Sequence, residues 1–90
     1  MKITAWQLAI INLCLQIDNE WKAKIYGLWE LTIASEIFKE IKKCVKDNKF
    51  IDWEIDLTSE QKVFITKIID ARNWTINDAE TVFSLKELIK

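Results

Sequence analysis

The sequence predicts an all-α fold: a small four-helix bundle with a long central helix and one short extended segment at about residues 50–57, in a single helical domain over residues 1–90. Apolar residues recur at helical spacing along most of the chain. The chain has no proline and only one glycine, so few residues interrupt a helix. Two Thr-x-x-Gln sequences, at Thr4 and Thr58, are typical of the capping boxes that begin helices.

The first helix is expected to begin after Thr4, with Gln7 completing the capping box and Ile3 and Leu8 at hydrophobic-staple positions. Its apolar residues fall on two nearly opposite faces: Trp6, Ile10, Leu13 and Ile17 on one, and Leu8, Ile11 and Leu15 on the other. A helix that is apolar on both sides is central in its domain or lies at a subunit interface. In a chain of 90 residues, the subunit interface is a serious alternative.

The chain is organised around its longest stretch without a strong helix breaker, residues 21–49. The first half carries apolar residues on one face: Trp21, Ile25, Leu28 and Trp29. The second half carries a stripe that lies largely opposite, at about 100° per residue: Ile33, Ile37, Ile41, Cys44 and Val45. Either one helix meets different neighbours with its two halves, or the helix breaks near residues 31–35. Because no proline forces a break, we predict one long helix. Trp21 and Trp29 also suit ordinary core positions.

Residues 51–57 alternate strictly between apolar and acidic side chains: Ile51, Trp53, Ile55 and Leu57 against Asp52, Glu54 and Asp56. Strict alternation is typical of a strand. Asp and Glu are poor strand formers, so an extended strap over the helices is the alternative. A strand needs a partner for its backbone groups, and the candidates are residues 73–76 or the same strand in a second chain.

The remaining sequence predicts two more helices. Thr58 and Gln61 begin the third, which ends near Asn73. Thr75 with Asp78, or Asn77 with Glu80, begins the fourth. The pair invites comparison with a helix-turn-helix motif, but the turn lacks the expected glycine and Arg72 is the only arginine. A plain helical hairpin is the better interpretation.

Composition excludes several kinds of chemistry. With no histidine there is no conventional catalytic triad, and with one glycine there is no phosphate-cradling loop. Cys14 and Cys44 are far apart in the sequence, and neither belongs to a metal-ligand motif. We therefore predict two buried, reduced thiols, no metal site and no cofactor. A net charge of −1 argues against nucleic acid or an anionic membrane as the partner. The apolar run over residues 3–17 is too short to span a bilayer, so a cytoplasmic, unprocessed protein is expected.

We predict a non-enzymatic protein-binding module that occupies a partner protein's surface, as an inhibitor or an adaptor. Large aromatic side chains are favoured at binding hot spots, and this chain has five tryptophans. In size and style it resembles small inhibitors encoded by phages and other mobile elements, although no motif carries that resemblance. The alternatives are a nucleic-acid binder using the Lys-rich end of the second helix and a binder of nucleotide-like ligands with Trp-lined pockets.

Two sets of site residues follow. The predicted partner-binding residues are Asp52, Trp53, Glu54 and Asp56. A homodimer is also expected, because the two-faced first helix and the face-switching central stretch leave apolar residues without an obvious neighbour. The predicted dimer-interface residues are Trp6, Leu8, Ile11, Leu15, Trp21 and Trp29.

Overall fold

Four helices and two small antiparallel sheets make up the computed structural model, which describes all 90 residues. The helices are α1 (Ala5–Gln16), α2 (Leu28–Lys42), α3 (Ser59–Asp70) and α4 (Ala79–Leu88), with a 3₁₀ turn at Ile76–Asp78 before α4. The strands are β1 (Lys2–Ile3), β2 (Val45–Lys46), β3 (Lys49–Phe50) and β4 (Trp53–Glu54). The prediction of an all-α bundle is therefore wrong: 58% of the residues are helical, but the fold is a mixed α/β one.

Both predicted capping boxes are present and fix where α1 and α3 begin. The Thr4 hydroxyl accepts the backbone N–H of Gln7, and the Gln7 side chain accepts the backbone N–H of Thr4. Thr58 and Gln61 repeat this reciprocal pair at the start of α3. Each box satisfies two of the backbone donors that a helix N-terminus otherwise leaves free, which explains why the sequence located these two helices well.

The prediction of one long central helix over residues 21–49 is wrong. The helix α2 begins only at Leu28 and ends at Lys42, and the residues before it form a tight turn closed by a bridge between Ile17 and Ala23. The Asp18 carboxylate accepts the backbone N–H groups of Glu20 and Lys22, so the chain turns instead of continuing a helix. This turn holds Trp21 at a φ of 62°, a left-handed conformation that is uncommon for a bulky residue.

The C-terminal end of the central stretch is a hairpin, which the sequence interpretation did not predict. Strands β2 and β3 pair antiparallel with Lys46 opposite Lys49, so only Asp47 and Asn48 connect them. Both connecting residues have positive φ angles, of 53° and 63°. A two-residue connection of this kind is the primed turn that matches the twist of the flanking strands, and Asn and Asp tolerate it best after glycine.

The core joins all four helices to the small sheets. It is a cluster of nineteen buried apolar residues that includes Ile3 of β1 and Ile55 just after β4. The second stripe of the central stretch supplies four of its members, Ile33, Ile37, Ile41 and Cys44. Cys14 and Cys44 are both buried and form no disulfide, as predicted.

Candidate functional site

The extended segment after the β2–β3 hairpin pairs with the start of the chain and not with residues 73–76, so that predicted pairing is wrong. Strands β1 and β4 are antiparallel, with Lys2 opposite Glu54 and Ile3 opposite Trp53. One residue further along, the Ile55 N–H donates to the Met1 carbonyl at 2.9 Å, and the Met1 α-ammonium donates to the Ile55 carbonyl at 3.0 Å. These bonds attach the N-terminus to the middle of the chain, a contact across 54 positions that no local pattern reveals.

The pairing leaves the other side of β4 open. Directly opposite residues in an antiparallel pair alternate between hydrogen-bonded and non-bonded pairs. Because Met1 and Ile55 form a bonded pair, Lys2 and Glu54 form a non-bonded one, and the backbone N–H and C=O of Glu54 face away from β1. In the same register Asp52 falls opposite Thr4 as a non-bonded pair, and Asp56 lies beyond the end of the pairing; no backbone hydrogen bond involves the N–H group of either. We call residues 52–56 the open edge.

Buried residues hold the open edge in place while its tryptophan stays accessible. Ile3 and Ile55 are buried and fix β1 and β4 onto the core, whereas Trp53, opposite Ile3, is half exposed. A groove of about 560 Å³ crosses the sheet beside this tryptophan, and its lining residues are Lys2, Ile3, Thr4, Asp52, Trp53 and Glu54. The structure thus brings an unpaired backbone edge and an aromatic side chain to the same groove.

Two of the three predicted acidic residues have structural contacts within the chain. One carboxylate oxygen of Asp52 accepts the backbone N–H of Ala5 at 2.8 Å, at the first residue of α1. The Glu54 carboxylate lies 3.0 Å from the Met1 α-ammonium. Only Asp56 is exposed without a hydrogen bond or an ion pair. The acidic face predicted from the sequence is thus partly neutralised by the N-terminus.

The predicted dimer-interface residues separate into two groups. Leu8, Ile11 and Leu15 are buried in the core of the single chain, so they expose almost no surface to a partner. The three tryptophans, Trp6, Trp21 and Trp29, are each more than 70% exposed. Two more exposed side chains of the same stretch, Ile25 and Leu28, were not among the predicted interface residues. Their positions on the first apolar face of the central stretch were the available signal.

A cation–π stack fixes the turn that carries Trp21. The Arg72 guanidinium lies between two indole rings, 5.3 Å from the centroid of Trp21 and 5.7 Å from that of Trp74. The same guanidinium donates to the carbonyl oxygens of Ile17 and Asp18, at 2.6 and 3.3 Å. The only arginine of the chain thus ties the 17–21 turn to the end of α3, and its role is structural.

The titratable side chains inside the protein are poorly suited to nucleophilic chemistry. Burial raises the pKa of the Cys14 thiol to about 11, and burial followed by the nearby Glu40 carboxylate raises that of Cys44. Burial likewise raises the pKa of Tyr26 to about 12, and its hydroxyl donates to the Leu15 carbonyl at 2.7 Å. Since the thiolate is the reactive form of cysteine, burial makes both thiols less nucleophilic at neutral pH than an exposed cysteine. No three His, Cys, Asp or Glu side chains come together as metal ligands.

Comparison with known proteins gives no relative to reason from: no family model, no curated protein and no solved structure matches this chain. None of the helices is both long enough and apolar enough to cross a lipid bilayer. The candidate site therefore rests on the geometry of the open edge and on the exposed apolar side chains.

Proposed function

We propose that the protein is a non-enzymatic protein-binding module whose open edge accepts an extended segment of a partner protein. The observation that supports this proposal is the unpaired backbone of Asp52 and Glu54 beside the groove at Trp53, with the backbone N–H of Asp56 also free of a backbone hydrogen bond. Added strands gain affinity from main-chain hydrogen bonds and selectivity from pockets that receive alternate side chains. The module occupies part of the partner's surface, in the manner of an inhibitor or an adaptor.

The charges on the edge favour a different chain over a second copy. Two copies of the edge paired antiparallel about Glu54 would place Glu54 opposite Glu54 and Asp52 opposite Asp56. Like charges directly opposite each other destabilise a strand pair, and charged residues on edges are a common protection against self-pairing. An incoming strand with Lys or Arg opposite Asp56 would meet an unpaired carboxylate instead.

A matched pair of variants tests the edge. Glu54→Pro removes the outward N–H and places a ring on the edge, while the hydrogen bonds of Trp53 and Ile55 to β1 remain. Glu54→Gln removes the same charge but keeps the N–H. Immobilised wild type and both variants are exposed to extract from the source cells, and bound proteins are quantified by mass spectrometry. We expect wild type and Glu54→Gln to retain the same partner in about equimolar amount, and Glu54→Pro to retain about tenfold less.

Circular dichroism melting shows first that Glu54→Pro is folded. Equal retention by Glu54→Pro and Glu54→Gln would exclude the edge as the binding site. Retention of no protein by wild type, from extract in which the chain is expressed, would contradict the proposed function itself.

The second candidate function, nucleic-acid binding, is favoured by the β2–β3 hairpin. Lys46 and Lys49 are directly opposite each other there, an arrangement that destabilises a hairpin unless an anion lies between them. Lys39 and Lys42 lie nearby at the end of α2, and none of the four forms an ion pair. Binding to a duplex oligonucleotide that weakens steeply as salt rises would support this candidate, because phosphate contacts release counterions.

The third candidate is a small-ligand binder, for which the groove beside Trp53 is the available pocket. Its volume of about 560 Å³ lies within the range of ligand sites. A rise in melting temperature with nucleotides or related metabolites would support this candidate over protein binding.

A further inference from the structure

Four large apolar residues lie within nine consecutive positions and are all accessible to solvent. They are Trp21, Ile25, Leu28 and Trp29, whose exposed fractions run from 73% to 93%, and we call them the apolar ridge. Leu28 and Trp29 begin α2, and the nearby Leu31 is half exposed. Three of the first four residues of α2 are therefore large, apolar and accessible, an arrangement typical of a helix end that another surface covers.

The amount of exposed surface agrees with a missing neighbour. The chain exposes 6327 Å², and its mass is 10.7 kDa. A folded monomer of this mass exposes about 5500 Å². The excess of roughly 800 Å² belongs to the whole chain and is close to the area that one partner contributes to a standard protein–protein interface. Exposed side chains outside the ridge, such as Trp6 and Phe83, contribute to it as well. The two ridge tryptophans alone leave roughly 300 Å² accessible.

Most charges close to the ridge in sequence are paired inside the chain. Glu20 pairs with Lys22 at 3.6 Å, and Glu30 pairs with Lys67 at 3.8 Å. The two cations without a carboxylate partner are Lys24, which donates to the Cys14 carbonyl, and Arg72, which is stacked on Trp21. No strong charge of one sign therefore surrounds the ridge, which favours a second copy over a strongly charged partner.

We propose that the apolar ridge packs against the ridge of a second copy of this chain about a two-fold axis. Such an interface uses the same patch on both subunits and therefore needs a patch that is complementary to itself, which a neutral apolar ridge provides. The ridge shares no residue with the open edge, so the two surfaces can be changed by separate substitutions. This proposal does not depend on the proposed function.

The test compares the same substitution at two similar positions, one on the apolar ridge and one outside it. Leu28 and Ile76 are both the first residue of a helical turn and are 84% and 87% exposed. A glutamate at such a position suits the helix N-terminus, so Leu28→Glu and Ile76→Glu are both expected to fold. Sedimentation equilibrium is measured for wild type and both variants from about 1 μM to 1 mM. We expect wild type and Ile76→Glu to dimerise with the same dissociation constant, and Leu28→Glu to dimerise about 100-fold more weakly.

Ile25→Glu provides a second variant on the ridge, in the connection between the turn and α2, and should weaken the dimer as Leu28→Glu does. A wild-type chain that stays monomeric to 1 mM would overturn the proposal. So would a dimer that resists both ridge substitutions, or one that Ile76→Glu disrupts while Leu28→Glu does not. Failure of the Glu54→Pro experiment would leave this result unchanged.

Discussion

The Arg72 stack provides the sharpest stability prediction. Replacing Arg72 with alanine removes two charge-assisted hydrogen bonds, to Ile17 and Asp18, and two cation–π contacts. A hydrogen bond from a charged group contributes about 1.5–3 kcal/mol, and each partly exposed cation–π contact about 0.5–1 kcal/mol. The second hydrogen bond is long and the site is only partly buried, so we expect a loss of about 3 kcal/mol. For a chain of this length that lowers the melting temperature by roughly 12–24 °C.

Guanidinium chloride denaturation, followed by circular dichroism, measures the free energy of unfolding for each variant. Lys67→Ala is the control, because its exposed pair with Glu30 at 3.8 Å should contribute less than about 1 kcal/mol. Arg72→Lys keeps the charge but lacks the planar fork, and should recover only part of the loss. If Arg72→Ala costs no more than Lys67→Ala, the stack does not hold the turn and our account of its conformation is wrong.

Three further predictions use the same chain. Ile37→Ala, at a fully buried position, should cost about 2–5 kcal/mol, whereas Ile25→Ala on the exposed ridge should change the free energy of unfolding by less than about 0.5 kcal/mol at a concentration at which the chain is monomeric. Hydrogen bonds from the Lys22 and Glu20 N–H groups lower the pKa of Asp18 in the folded chain below its ordinary value of 3.8. The ionised Asp18 carboxylate therefore stabilises the folded state above about pH 4, and this stabilisation is lost as the pH falls through the lower pKa of the folded chain. Melting temperatures from pH 7 to pH 2 should show this loss in wild type but not in Asp18→Asn. Both thiols should react with a thiol reagent far more slowly at pH 8 in the native chain than in guanidinium chloride. Both are buried in the native chain, and burial raises the pKa of Cys14 to about 11. Equal rates in the two conditions would contradict their burial.

Features that depend on neighbouring residues could be predicted from the sequence. The capping boxes at Thr4 and Thr58 need only a hydroxyl and an amide three positions apart, and both helices begin where these residues place them. The alternation after Ile51 likewise indicated an extended segment, and strand β4 lies within it. The partner of that strand could not be predicted, because β1 is two residues long and has no alternation of its own.

The break in the central stretch was harder to predict, because its cause lies partly elsewhere in the chain. Asp18 can cap a helix or close a turn, and the sequence alone favours neither. The turn is selected by distant contacts: Arg72 binds the carbonyls of Ile17 and Asp18, and Asn19 bonds to Ala71 and Asn73. These contacts join residues more than 50 positions apart, so only the folded chain shows that Trp21 belongs to a turn.

The change of face within residues 21–49 therefore has a different meaning from the one first inferred. Four of the five residues of the second stripe are buried in the core (Ile33, Ile37, Ile41 and Cys44) and Val45 is 39% exposed, whereas every member of the first, Trp21, Ile25, Leu28 and Trp29, is more than 70% exposed. The two stripes do not face two neighbours within one chain: one of them folds the chain, and the other is left at the surface. Leaving four large apolar side chains in water is unfavourable by about 1.5–3 kcal/mol each compared with burying them. A second copy of the ridge would bury eight such side chains without opening the core, which is why self-association explains the first stripe better than a different internal packing does.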